Sequence, residues 1–138
     1  MRIVLDTNCL LAITPKISPF RPIFDAFRSG KFELAVSSEI LTEYHEIAGQ
    51  KMTPQIAENI IELILKQDNT VQTEIFYRWQ LITIDPDDNK FVDTAISSGA
   101  DYIVTNDAHF RALRDIPFPK VAVISIQDFL SLLQTADS

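Results

Sequence analysis

A chain of 138 residues, 46% hydrophobic and 22% charged, has the size and make-up of one globular domain with a buried core. A formal net charge of −7 argues against indiscriminate binding to polyanions, which draws on clustered Lys and Arg, but it leaves room for a nuclease whose carboxylates gather at one metal site. A single cysteine, Cys9, excludes an internal disulfide and a thiolate-rich metal site, and no apolar run approaches the roughly 20 residues of a membrane helix.

The opening "MRIVLDTN" lacks the long apolar region of a signal peptide, so a cytoplasmic protein is expected. "RIVL" (2–5) reads as a buried strand whose apolar, β-branched run suits a parallel sheet. "PIFDAFRSG" predicts a short helix stopped by Gly30, and "FELAV" (32–36) a second strand. Ser37 and Ser38 offer caps for the helix "SEILTEYHEIAG", with Ile40, Leu41, Tyr44, Ile47 and Ala48 on its apolar face. Thr53-Pro54 starts another helix, which runs to about Asp68-Asn69. "TVQTEI" (70–75) predicts a third strand, and "FYRWQLITI" fits either a loop arm or a short strand. "DPDDNKFVDTAISSGA" is a capped helix, "DYIVT" a strand, "AHFRALRD" a short helix, "KVAVIS" the last strand and "IQDFLSLLQ" the last helix. Alternating strands and helices predict a three-layer α/β/α sandwich over residues 1–138, a parallel sheet of about five strands between helices.

Two of these strands end alike. "RIVLDTN" stops at Asp6, and "YIVTND" stops at Asp107. Ligands of open α/β sheets sit beyond the carboxyl ends of the strands, so adjacency of these two strands would place both carboxylates on one cleft. In "DPDDNKFVDTA", a rotation of about 100° per residue puts Asp88 on the side of Phe91, Val92 and Ala95 and points Asp93 well away. Asp85 then suits the N-cap, Pro86 the first helical position and Asp87 the dipole-favoured first turn. Glu43, at the border of its helix's apolar stripe, can lean towards Asp6, whereas Glu39 and Glu46 point outward.

Simpler roles compete. Asp6 can cap the next helix as readily as hold a metal. His45 and His109 are too isolated for a zinc site, Cys9 reads as a small packed residue, and Trp79 with the phenylalanines reads as core or interface. Four convergent carboxylates without a cation repel one another and raise at least one pKa. A hard divalent ion, Mg²⁺ or Mn²⁺, resolves this with carboxylate and water ligands, and such ions activate water and neutralise charge on a phosphodiester. Lys90, Arg111 and Arg114, on the segments after Asp88 and Asp107, are the candidate substrate contacts.

The pieces "VLDTNCLL", "SSEILTEYHEI", "DPDDNKFVDTAISSGADYIVTNDAHF" and "VAVISIQDFL" together resemble the PIN-domain family of metal-dependent ribonucleases. They are most similar to its branch of toxin components of toxin–antitoxin systems, the VapC-like ribonucleases. The resemblance implies that Asp6, Glu43, Asp88 and Asp107 form an acidic metal site. It implies that Asn8, Thr105 and Asn106 orient carboxylates or water around that site. It also implies a five-stranded parallel sheet, an RNA substrate, a basic antitoxin partner and a homodimer. Two other readings stand beside it. One is a catalytically silent scaffold of the same fold. The other is a haloacid-dehalogenase-type phosphohydrolase, whose chemistry wants a second Asp where this chain has Asn8.

Overall fold

The structure, a computed structural model, describes residues 1–136. Five parallel strands form one sheet in the order β3-β2-β1-β4-β5: β1 Arg2–Leu5, β2 Glu33–Val36, β3 Thr70–Gln72, β4 Tyr102–Val104 and β5 Val123–Ile124. Six α-helices cover it: α1 Thr7–Ile13, α2 Arg21–Arg28, α3 Ser38–Lys51, α4 Pro54–Lys66, α5 Asn89–Ser98 and α6 Ile126–Ala136. Two 3-10 helices, Pro86–Asp88 and Ala108–Asp115, complete the regular structure. Right-handed crossovers put the helices of the first two connections on one face and α5 on the other, which is the expected three-layer α/β/α sandwich. Among the described residues no helix is long and apolar enough to cross a membrane.

The central strands are apolar on both faces because both are covered. Ile3, Val4, Leu34, Ala35, Val36, Ile103 and Val104 are fully buried, and they join one continuous core with Phe24, Phe27, Phe32, Phe91, Phe110 and Phe129. The caps follow local chemistry. The Ser37 and Thr53 hydroxyls accept from the backbone N–H groups of Ile40 and Ile56, and Pro54 sits at the first position of α4. Gly99 ends α5 in the left-handed region, φ 69, where a side chain would be strained.

Four expectations change. A helix the sequence reading did not assign, α1, follows β1 directly, and Asp6 caps it. The third strand ends at Gln72 rather than Ile75. Its last ladder bond is Thr73 N–H to Val36 O (2.7 Å), and beyond it residues 73–84 form an extended arm without regular structure. The helix begun at Asp85 opens with a 3-10 turn before α5. The last strand keeps only two residues of "KVAVIS".

The arm explains a further departure. Asp93, expected to point well away from the buried face, is only 1% exposed, because the arm lies over it and the Trp79 N–H donates to its carboxylate at 3.1 Å. Asn89 fastens the same arm further on, its amide bonding both the N–H (2.9 Å) and the C=O (2.8 Å) of Ile82 as a neighbouring strand would.

Candidate metal centre

β1 and β4 are neighbours, paired Leu5 to Val104, so the chain reverses its strand order at the place where Asp6 and Asp107 emerge. Asp6 is buried and caps the next helix, one of the two roles that the sequence left open. Its Oδ1 accepts from the Cys9 N–H (2.8 Å) and caps α1, while Oδ2 accepts the Thr105 hydroxyl. The same Thr105 oxygen accepts the Asp107 N–H at 3.0 Å. One buried hydroxyl therefore ties the two strand-end aspartates together.

Glu43 comes from α3. Tyr44, fully buried beside it, donates its hydroxyl to Leu5 O (2.5 Å), locking the helix onto the end of β1. Glu43 Oε2 accepts the Thr7 hydroxyl, next in sequence to Asp6, and Oε1 receives Lys90 Nζ at 2.7 Å. Asp88 comes from the 3-10 turn ahead of α5. Its side chain is 14% exposed, and Oδ2 lies 3.3 Å from His109 Nδ1. Asp107 Oδ1 is 3.5 Å from that nitrogen and accepts the His109 N–H at 2.9 Å. Asp85 caps the turn through the Asp87 N–H (3.2 Å). Ligand atoms of Asp85, Asp88 and His109 all lie within 4.8 Å of one another.

The sequence-chosen acids thus come from four separate elements to one end of the sheet. The surrounding polar residues divide. Thr105 contacts two of the acids, as the resemblance implies. Asn106 instead commits its Oδ1 to the Ile126 N–H (3.0 Å) at the start of α6, because the chain turns there towards the next helix. Asn8 lies on the exposed side of the first turn of α1. Lys90 is no free rim cation: it is paired to Glu43 and only 16% exposed. Arg111 and Arg114 are exposed.

His109 is a correction. It does not stand apart but contacts Asp88 and Asp107, because the Asp107 cap curls the chain back over the cluster within two residues. The sequence held that signal in "DAH", where a capping aspartate is followed at two residues by a histidine. Thr7 and the Lys90–Glu43 pair were not legible. His45 does lie apart, at the surface, 2.9 Å from Glu58.

The electrostatics are those of crowded acids. Burial first, then the charge of Asp107, pushes Asp6 above the usual carboxylate range, against the hydrogen bonds from Thr105 and Cys9. Asp88 is raised to about 6, first by burial and then by Asp85 and Asp107, with His109 opposing. Burial and the nearby Asp6 push the Cys9 thiol well up, so it stays protonated and packed. Oxygen donors that hold charge unwillingly fit a divalent cation, and an imidazole stands among them. Two open clefts of about 500 and 560 Å³ are both lined by Glu39, Asp87 and Lys90, and the second also by Glu43, while Asp6, Asp88 and Asp107 line neither.

Fold and donor set together describe a carboxylate centre, suited to a divalent cation, at the strand ends of an open α/β sheet. The chain belongs to the PIN-domain family: the family model described as PIN domain matches residues 2–109. No curated protein sequence matches it significantly. Among solved structures it is similar to VapBC2 from Rickettsia felis bound to a DNA fragment from its promoter (18% identity, 91% of this chain and 98% of that one, TM-score 0.63). It is similar to VapBC-1 from nontypeable Haemophilus influenzae (17%, 92% and 99%, 0.57). It is also similar to Mycobacterium tuberculosis VapC20, a Sarcin-Ricin loop cleaving toxin (13%, 80% and 93%, 0.58). These likenesses are of fold.

Proposed function

We propose that the protein is a Mg²⁺- or Mn²⁺-dependent endoribonuclease, the toxin half of a toxin–antitoxin pair. What supports this reading is a PIN-domain chain in which Thr105 joins Asp6 and Asp107 at neighbouring strand ends, His109 lies between Asp107 and Asp88, and Glu43 holds Thr7 beside Asp6. Asp6 and Asp107 would be the principal metal ligands, with Asp88 and Glu43 direct or through water. The bound ion would activate water and neutralise charge on the phosphodiester.

The chain's own groups prepare that chemistry. Thr105 fixes Asp6 and Asp107 relative to each other, and Thr7 fixes one oxygen of Glu43. Lys90 keeps a positive charge at the mouth of the cleft, where a substrate phosphate arrives. His109 Nδ1 lies between the carboxylates of Asp88 and Asp107. In the metal-free protein Asp88, its pKa raised to about 6 by burial and by Asp85 and Asp107, changes protonation close to neutral pH.

Likeness of fold to VapBC assemblies supports an antitoxin partner. A basic segment fits the charge of −7, since an arginine fork pairs with clustered carboxylates and would compete with the metal. A homodimer belongs to the same reading. The silent scaffold is disfavoured by four intact acids, and the phosphohydrolase by Asn8, which lies exposed on α1.

The test is RNA cleavage by protein stripped with a chelator and then supplied with Mn²⁺, alone and with the product of the adjacent gene. Cleavage that needs the ion, is lost in Asp6→Asn and is suppressed by the neighbour is the expected result. Full activity in folded Asp6→Asn sinks the site. A neighbour that neither binds nor inhibits removes the toxin assignment alone.

A further inference from the structure

Two segments leave the carboxylate cluster and meet again away from it. The arm 73–84 ends at Asp85, beside Asp88 and His109. The 3-10 helix Ala108–Asp115 starts at its cap Asp107 and runs into the loop that carries Phe118. Their second meeting is aromatic. The Trp79 and Phe118 rings lie 6.2 Å apart at 87°, and Tyr77 extends the row, 4.7 Å from Trp79 at 63°.

These rings add little to the core. Tyr77 is 62% exposed and Phe118 80%. Large exposed aromatic surface that folding does not use marks a binding surface. The row is also held in place. Trp79 is fixed by its N–H to the buried Asp93, and Ile82 by both polar groups of Asn89. Between them Gln80 takes φ 54, an uncommon conformation for a residue with a side chain, which sets the change of direction between the surface ring and the buried Ile82.

The segment that leads to Phe118 carries charge opposite to that of the protein. In a chain of net −7, residues 108–120 carry Arg111, Arg114 and Lys120 against a single acid, Asp115. All three cations are exposed, and Lys120 Nζ donates to Arg114 O at 3.3 Å, drawing the loop together. Rings packed edge to face leave π-surfaces open, and bases stack on such surfaces while nearby cations meet the phosphates.

We propose that Tyr77, Trp79 and Phe118 form a stacking platform for unpaired bases of the RNA strand that leaves the carboxylate cleft, with Arg111, Arg114 and Lys120 on its phosphates. This rests on the ribonuclease reading above and adds to it the surface that would hold the strand beside the cleaved bond.

Trp79 is the sole tryptophan, so its fluorescence reports on the platform directly. In the Asp6→Asn protein, an oligoriboadenylate of about eight nucleotides should quench Trp79 emission, whereas a fully paired RNA duplex should not. Tyr77→Ala and Phe118→Ala alter exposed side chains and should leave the melting temperature in place. Each should weaken oligonucleotide binding on the order of tenfold. No quenching, or unchanged affinity in both variants, overturns the platform even if the wild type cleaves RNA. Quenching by a chain that cleaves no RNA with any divalent ion would remove the nuclease reading and leave the platform standing. A second copy of the chain is the competing occupant, read by light scattering. A wild-type dimer that Phe118→Asp turns into a monomer, with oligonucleotide binding unchanged, assigns the rings to a protein interface and overturns the proposal.

Discussion

Lys90 Nζ lies 2.7 Å from Glu43 Oε1, joining α5 to α3 across the mouth of the cleft, with both side chains mostly buried. The lysine supplies a cation to the acid that a metal would share. Removing it should have two opposite effects. In Lys90→Met, Mn²⁺ affinity by titration calorimetry should rise several-fold, because Glu43 is released, while the KM for RNA should also rise, because the phosphate loses a contact. Lys90→Arg should stay near wild type in both. A Lys90→Met protein with weaker Mn²⁺ binding would show that the ammonium organises the site rather than competing for it.

The raised pKa of Asp88 predicts how stability varies with pH. A carboxyl whose folded value, about 6, exceeds its ordinary 3.8 favours folding below the lower value, and that contribution is lost as pH rises through the higher one. Metal-free protein should therefore lose melting temperature between roughly pH 4 and pH 7 on this account. Asp88→Asn should flatten that fall and stabilise the metal-free chain by about 1 kcal/mol at neutral pH, while abolishing cleavage. Parallel melting curves for the two proteins across the range would refute the assignment.

Thr105→Val keeps shape and removes the hydroxyl between Asp6 and Asp107. It should cost about 1–3 kcal/mol, since a buried acceptor and a partly buried N–H both lose their partner. Activity should fall, and Thr105→Ser should restore most of it. Urea melts and Mn²⁺-dependent rates of the three proteins decide this.

The acids beside Asp88 should separate by role. Asp85→Ala removes a cap, worth about 0.5–2 kcal/mol, and should affect stability more than catalysis. Asp93→Ala strips the Trp79 N–H of its acceptor and should loosen the arm, visible as a shift in Trp79 fluorescence, with cleavage reduced less than in Asp88→Ala. Equal loss of cleavage in Asp93→Ala and Asp88→Ala would mean that the arm itself belongs to the active centre.

Charge reversal at Arg111 and Arg114 together should weaken RNA binding and flatten its dependence on salt, because fewer counterions are released on binding. An unchanged slope would move the basic rim elsewhere, with Lys16 and Arg21 the next candidates. Arg21 is the weaker of these, being tied to Asp25 at 3.1 Å and to Thr14 O.

The sequence by itself determined the features that a few neighbouring residues control. Apolar or β-branched runs marked all five strands, Thr53-Pro54 and Asp85-Pro86 marked helix starts, and Gly30 marked a stop. Even the limits of this reading were local, since "NCLLA" is too short an apolar run to distinguish helix from strand before its cap is seen. Only the tertiary structure decided that β1 lies beside β4, which turns two distant strand ends into one centre tied by Thr105. It also decided that an arm without regular structure covers Asp93, that Lys90 reaches Glu43, and that His109 falls between Asp88 and Asp107. Local propensity is set by backbone sterics and capping over three or four residues. Meetings between residues tens of positions apart depend on strand order, register and what is left uncovered when the core closes, and no short window of sequence contains those.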